Sequence, residues 1–158
     1  MNSYFIVLIL LFLLIAVYYD LKWRRIPNFL TFSLIIVGFT LNLITGGISA
    51  LYYSLLGFVI GAGFFFIFFL IGGMGAGDVK LMGGIGALLG FETVIKALFY
   101  IAFVGGIIAL IIISFVYFIR RTRISENGFF ATIKDINPMK ITIPYSIAIG
   151  IGTILSFF

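Results

Sequence analysis

The stretch IGGMGAGDVKLMGGIGALLG, Ile71–Gly90, holds one acidic residue, Asp78, between two apolar parts of the chain. Glycines precede this aspartate at positions 72, 73, 75 and 77 and follow it at positions 83, 84, 86 and 90. Because glycine accepts positive φ and lets helices approach closely, the pattern predicts a tight turn followed by a short, closely packed helix. A hinge with a packing face would explain the glycines alone. A turn that presents a carboxylate at the head of a short helix explains the glycines and the aspartate together.

The composition of the whole chain is that of a membrane protein. Of 158 residues, 63% are hydrophobic and 9% are charged, which is too apolar for a water-soluble domain of this size. The Lys and Arg residues that give the net charge of +5 flank the apolar spans, which is typical of residues that set the topology of a membrane protein. For this reason no nucleic-acid partner is expected. The stretch Met1–Tyr19 lacks the basic start and the cleavage site of a secretory signal, so it is interpreted as a retained first helix. In such a chain, an ionisable residue at membrane depth indicates a function.

The chain contains neither cysteine nor histidine. This excludes a disulfide framework, a thiolate zinc site and a cysteine nucleophile, and it removes the commonest metal ligand and the usual general base. We therefore expect no metal and no cofactor, and acid–base chemistry should fall to the carboxylates. Glu92, Glu126 and Asp135 are interpreted as loop charges, which leaves Asp20 and Asp78.

An all-α polytopic membrane protein with six transmembrane helices is predicted, because six apolar runs suggest spans of a hydrocarbon core about 30 Å thick. The fourth run is short and glycine-rich, and as a helix it would measure only about 20 Å. One domain over residues 1–158 is predicted, without internal repeats. The six runs are Tyr4–Tyr19, Phe29–Ile44, Leu51–Ile71, Val79–Phe91, Val94–Ile119 and Ile141–Phe158.

The basic residues support six spans. With the N-terminus outside, nine of the ten Lys and Arg residues lie in inside loops, as the positive-inside rule requires. Omitting the short helix would move the basic cluster between Arg120 and Lys140 to the far side. The topology places Asp20, at the end of the first helix, and Asp78, at the start of the fourth, on the cytoplasmic side, where they can meet. Residues 127–136 fit either a short interfacial helix or a solvated loop.

Three segments resemble the signature regions of type IV prepilin peptidases and archaeal preflagellin peptidases, which are GxGD intramembrane aspartyl proteases. They occur in the same order and span most of the chain: DLKWRRIPN (Asp20–Asn28), GAGDVKLMGGIGALLG (Gly75–Gly90) and IPYSIAIGIG (Ile143–Gly152). A GxGD sequence alone would be a weak signal. GAGDVK at the start of a glycine-rich helix, together with the upstream Asp-x-Lys and Ile-Pro-Asn, is a specific one.

The resemblance implies that Asp20 and Asp78 are the catalytic residues. Two carboxylates about 3 Å apart share one proton, so one can deprotonate a water while the other protonates the carbonyl oxygen of the scissile peptide bond. Lys22 and Lys80 are interpreted as anchors to lipid phosphate, with a role in stabilising the aspartate charge or positioning substrate as the alternative. The motif residues expected to support the site are Gly75, Gly77, Lys22, Lys80, the helix-start prolines Pro27 and Pro144, and Asn28.

The implied function is that of a single transmembrane peptidase domain, 1–158, in the cytoplasmic membrane of a prokaryote. It would remove the short basic leader from type IV pilin-like or archaeal flagellin-like precursors at the cytoplasmic face, with the precursor and membrane lipid as partners. Longer bacterial members carry a cysteine-bearing insert after the first helix and methylate the new N-terminus. Here Asp20–Asn28 is short and lacks cysteine, which resembles the compact, peptidase-only members, and neither methylation nor a zinc site is expected.

Two other interpretations remain open. Proteases of the presenilin or signal-peptide-peptidase type share GxGD, but they pair it with a Tyr-Asp motif inside a later helix and with a Pro-Ala-Leu motif. Here Tyr19 and Asp20 end the first helix, and IPYSIAIG stands in place of the second motif. A small proton-coupled transporter or channel could also use intramembrane carboxylates and a broken glycine-rich helix. It would be expected to show a repeat or mid-membrane carboxylates, and neither is evident.

Overall fold

The computed structural model describes residues 3–123 and 145–158. In these residues the chain forms four helices and no strand: α1 (Ser3–Trp23), α2 (Asn28–Leu70), α3 (Ala76–Arg123) and α4 (Tyr145–Leu155). The prediction of an all-α protein is confirmed. Three helices, α1 to α3, are long and apolar enough to cross a membrane, and α4 is a shorter apolar helix. The segment 127–136 and the start of the predicted last helix, at Ile141, lie outside the described residues.

The helix α2 doubles back on itself at Gly47. Its backbone there has φ 65° and ψ −156°, a conformation that is essentially restricted to glycine. A straight helix would separate Phe39 from Phe58 by roughly 28 Å, yet their ring centroids are 5.7 Å apart. The two halves of α2, 28–46 and 48–70, therefore lie side by side as a helical hairpin.

The helix α3 turns in the same way at Gly90, where φ is 76° and ψ is 178°. A Cβ atom placed on Gly61 would lie 2.6 Å from the carbonyl oxygen of Met82 and 3.4 Å from Cγ2 of Val94. A straight helix would separate Met82 and Val94 by roughly 18 Å. When the halves of α2 and α3 are counted separately, the described residues form six helical segments, which correspond in order to the six predicted helices. Among the described residues, three whole helices have the length and hydropathy of a membrane span.

The short segment 76–89 of α3 lies at the centre of the molecule. Every residue from Leu81 to Leu88 is buried, as expected of a helix that is apolar all round. Glycines of α2 bring the backbones together: a Cβ atom on Gly38 would lie 2.8 Å from the carbonyl carbon of Ala87, and one on Gly57 would overlap the carbonyl oxygen of Gly86. The close approach predicted from the glycine spacing is confirmed.

Polar side chains of α2 donate hydrogen bonds to the carbonyl groups that lose their helical partners at the Gly90 bend. The Asn42 amide donates to the carbonyl oxygens of Ala87 and Leu88, at 3.0 and 3.1 Å, and the buried Ser54 hydroxyl also donates to Ala87. The last carbonyls of a helix lack partners within it, and leaving one buried and unpaired costs about 1–3 kcal/mol. Asn42 and Ser54 therefore allow the segment 76–89 to end inside the protein rather than in water.

Candidate active site

Asp20 lies in the last turn of α1, and the end of that helix fixes its backbone. The residue after the helix, Arg24, has a left-handed φ of 52°, and its N–H donates to the carbonyl oxygen of Asp20 at 2.8 Å. This is the hydrogen bond of a left-handed helix cap. A non-glycine residue in this region costs on the order of 1–3 kcal/mol, so the surrounding structure must hold it. The chain then turns from Asp20 toward Ile26, which is buried.

Asp78 lies in the first turn of α3 and closes its N-terminus. Its Oδ2 accepts the N–H of Gly75, the residue before the helix, at 3.3 Å, which is the return half of a capping box. Capping accounts for that oxygen only. The other oxygen, Oδ1, is buried and has no hydrogen-bond partner among the residues that the structure describes. An unpaired buried oxygen is costly, and helix capping does not account for it.

Asp20 and Asp78 line the same cavity, which has a volume of about 420 Å³. They are close enough for the charge of Asp20 to act electrostatically on Asp78. The structure thus brings together the two aspartates that the predicted topology places on one side. The rest of the lining comes from the α1–α2 connection, the first residue of α2, and the residues at and just before the start of α3: Arg24, Arg25, Ile26, Pro27, Asn28, Gly75, Ala76 and Gly77.

Gly77 is one point at which these two parts of the chain touch. A Cβ atom on Gly77 would lie 3.1 Å from Cβ of Ile26 and 3.5 Å from its backbone nitrogen. Only a glycine lets the α1–α2 connection close this far onto the first turn of α3. The second glycine of GAGD therefore controls the approach of the segment that follows Asp20 to the segment that carries Asp78.

The supporting residues divide into two groups. Lys80 donates to Oδ1 of Asn28 at 2.9 Å and so ties α3 to the start of α2, which follows directly after Pro27. Lys22 is exposed and turns toward its own helix, where it donates to the Tyr18 hydroxyl at 3.2 Å and lies 4.5 Å from the ring centroid of Trp23. Neither lysine makes a hydrogen bond to an aspartate in the described part of the chain. Three residues considered in the sequence, Pro144, Glu126 and Asp135, lie outside the described residues.

Ser146, at the start of α4, is a site residue that the sequence analysis did not single out. It is fully buried, and its hydroxyl donates to Oδ2 of Asp20 at 2.5 Å. The available signal was a serine within the apolar segment IPYSIAIGIG. That signal is weak, because a serine in an apolar helix more often bonds its own backbone.

The site can perform acid–base chemistry on a water molecule. It holds two carboxyl groups in one cavity with different hydrogen-bond partners, a hydroxyl for Asp20 and a backbone N–H for Asp78. Different surroundings let two carboxyl groups hold different protonation states, as acid–base catalysis requires.

Comparison with known proteins identifies the class of protein to which this membrane-type helical fold belongs. The sequence profile of the type IV leader peptidase family matches residues 7–110, which include Asp20 and Asp78 and cover more than half of the chain. The chain belongs to the type IV leader peptidase family, and it is accordingly a membrane-associated peptidase. Searches of curated proteins and of solved structures found no match.

Proposed function

We propose that this peptidase is a membrane-embedded aspartic endopeptidase that removes the short basic leader from type IV pilin-like or archaeal flagellin-like precursors. Asp20 and Asp78 are its catalytic residues, and a water molecule is its nucleophile. The observation that carries the proposal is the shared cavity, which joins two aspartates from different helices in a member of this family.

The two carboxyl groups carry one proton between them during the reaction. The ionised carboxylate takes a proton from water as the water oxygen bonds to the carbonyl carbon. The protonated carboxyl gives its proton to the carbonyl oxygen at the same time, which forms a tetrahedral diol. When the C–N bond breaks, the carboxyl that received the water proton gives it to the leaving nitrogen, and the other recovers a proton from the diol. The pair then again holds one proton.

The helical hairpins support a multi-pass arrangement in a prokaryotic cytoplasmic membrane. The halves of α2, 28–46 and 48–70, measure about 28 and 34 Å as helices, which matches a hydrocarbon core of about 30 Å. We infer that the halves of α2 and α3 cross separately, giving six spans with α1 and the last helix. The bends at Gly47 and Gly90 then face outward, and the site faces the cytoplasm beside Lys22 and Lys80, in keeping with the positive-inside rule.

This arrangement defines how a precursor would be cut. Its apolar segment enters among the helices while its basic leader stays in the cytosol, so cleavage falls just before the apolar segment. A small residue at the cut eases unwinding of the chain and close approach to the aspartates. Cleavage in the middle of the apolar segment would instead favour a presenilin-like protease.

The test uses the purified protein in lipid and a panel of prepilin-like precursors. Asp20→Asn and Asp78→Asn are each expected to lower cleavage by on the order of 10³-fold or more, and the double variant should be no worse than either, because the pair acts as a unit. Glu92→Gln is the matched control, since Glu92 is exposed beside the distant Gly90 bend. Retained cleavage in either aspartate variant, with normal insertion into the membrane, would reject the mechanism.

A further inference from the structure

The Ser146 hydroxyl is placed where it can select the protonation state of one aspartate. Ser146 is 0% exposed, and its Oγ lies 2.5 Å from Oδ2 of Asp20. Hydroxyl hydrogen bonds to ionised carboxylates are short, about 2.5–2.7 Å. Since the hydroxyl is the donor, the bond stabilises Asp20 in its ionised form.

Among the residues that the structure describes, Asp78 has no equivalent partner. It accepts a longer hydrogen bond from the Gly75 N–H, at 3.3 Å, and its Oδ1 is buried without a partner among the described residues. An ionised carboxylate can only accept hydrogen bonds, whereas a protonated carboxyl carries a donor of its own. The proton shared by the pair is therefore better placed on Asp78 than on Asp20.

The position of Ser146 is held by the packing of α4 rather than by a flexible loop. The helix α4 packs against α3 and α1. A Cβ atom on Gly152 would lie 2.6 Å from the backbone nitrogen of Ile101, so the two helices touch through their backbones there. Such support sets the register of α4 and aims its first turn at Asp20.

We propose that Ser146 is a positioning residue that keeps Asp20 ionised, so that Asp20 is the group that activates water. Asp78 then holds the proton that is transferred to the carbonyl oxygen of the scissile peptide bond. The proposal rests on the proposed function, since it assigns roles within that same site. In each turnover, Asp20 takes the proton of the attacking water, Asp78 gives its proton to the carbonyl oxygen, and Ser146 keeps its own proton throughout.

The charged neighbours of Asp20 bear on the pH dependence of the reaction. Among the described residues, the cavity is also lined by Asp78 from α3 and by Arg24 and Arg25 from the α1–α2 connection. The titratable residue of α4, Tyr145, lines a separate apolar cavity of about 270 Å³. Substitution of Ser146 leaves all of these groups in place, so a change in the pH profile reports the loss of its hydroxyl.

The experiment is the pH dependence of precursor cleavage by the full-length protein in lipid. Without the Ser146 hydroxyl, the ionised form of Asp20 loses a hydrogen-bond donor. In Ser146→Ala, the acid limb of kcat should therefore move up by roughly one pH unit, which lowers cleavage about tenfold at a pH on that limb. KM should change by less than about twofold, because Ser146 does not contact substrate in this mechanism.

Ser146→Thr, which retains the hydroxyl, should restore the wild-type acid limb. The matched control is Ser156→Ala, because Ser156 is also buried but donates to the carbonyl oxygen of Thr153, at 2.7 Å, rather than to an aspartate. An unchanged acid limb in folded Ser146→Ala overturns the proposal, as does an equal shift in Ser156→Ala.

If Ser146→Ala does not accumulate in the membrane, the comparison is between Ser146→Thr and Ser146→Cys, since a thiol is a weaker donor than a hydroxyl. The acid limb must then lie at higher pH in the cysteine variant, and equal profiles overturn the role of Ser146. Failure of the proposed function can be distinguished from failure of the role of Ser146, because it would appear as cleavage that survives Asp20→Asn or Asp78→Asn. Inactive aspartate variants with a normal Ser146→Ala profile reject the role of Ser146 alone.

Discussion

At Gly77, the lack of a side chain determines how closely the two aspartate-bearing segments meet. The contact with Ile26 is tight, at 3.1 Å from the place of a Cβ atom, and Ile26 is itself buried in the core. Asp78 follows Gly77 directly, so any displacement there moves the carboxylate relative to Asp20. A misplacement of about 1 Å can reduce an enzymatic rate about 100-fold.

Substitutions at Gly77 should therefore lower activity in the order of their size. Gly77→Ala requires Ile26 to shift by a few tenths of an ångström and should slow cleavage severalfold, whereas the branched side chain of Gly77→Val should slow it about 100-fold on every precursor. Steady-state kinetics in lipid measure the effect. Gly63→Val is the control, because a Cβ atom there meets no described residue within 4 Å. Equal activity of both valine variants would show that the Gly77 contact does not position the site.

Between elements, the packing of α2 on α3 depends on glycines that face backbone atoms. At Gly57, a side chain would run into the carbonyl group of Gly86, and at Gly61 into that of Met82. Backbone cannot move aside as a flexible side chain can. Without water in the membrane interior, close backbone packing is a main source of helix association, so these glycines hold the short segment 76–89 in place.

Gly57→Val should destabilise the fold, whereas Gly63→Val in the same half of α2 should not. Overpacking costs typically about 1–3 kcal/mol, and the rigid backbone contact at Gly57 puts this variant at the upper end. The measurements are the amount of protein that accumulates in the membrane and the thermal unfolding midpoint in detergent. A midpoint for Gly57→Val equal to that of Gly63→Val would contradict the packing seen in the structure.

At the scale of the whole molecule, the two helical hairpins place the site at one end and the bends at Gly47 and Gly90 at the other. The chain runs from the site to Gly47 and back along α2, and then from Asp78 to Gly90 and back along α3. The two bends lie at the opposite end from Asp20 and Asp78. If the halves of both helices cross the membrane, the bends must face away from the cytoplasm.

Labelling of single introduced cysteines tests this topology without interference, since the chain has no native cysteine. A cysteine at Gly73, in the exposed turn before α3, should react with an impermeant reagent only from the cytoplasmic face. A cysteine at exposed Thr45, beside the Gly47 bend, should react only from the outer face. Reversed labelling would invert the proposed orientation, and labelling of both positions from one face would reject the separate crossings of α2.

The sequence by itself determined the membrane character, the order of the helical segments and the two aspartates that share a cavity. Each of these depends on local properties: apolar runs long enough for a span, glycines where the chain must turn, and Asp20 and Asp78 at the ends of such runs. The predicted helices left residues 45–50 and 92–93 outside any helix, whereas the structure is helical through both stretches except at the Gly47 bend. Glycine at 47 and 90 lets the chain reverse at a single residue, so helical structure continues on both sides.

Only the tertiary structure decided which polar groups meet. The bonds from Ser146 to Asp20, from Lys80 to Asn28 and from Asn42 to the carbonyls at the Gly90 bend all join residues distant in sequence. Their formation depends on the register of one helix against another. That register comes from glycine contacts and core packing spread over several helices, so no local pattern encodes it.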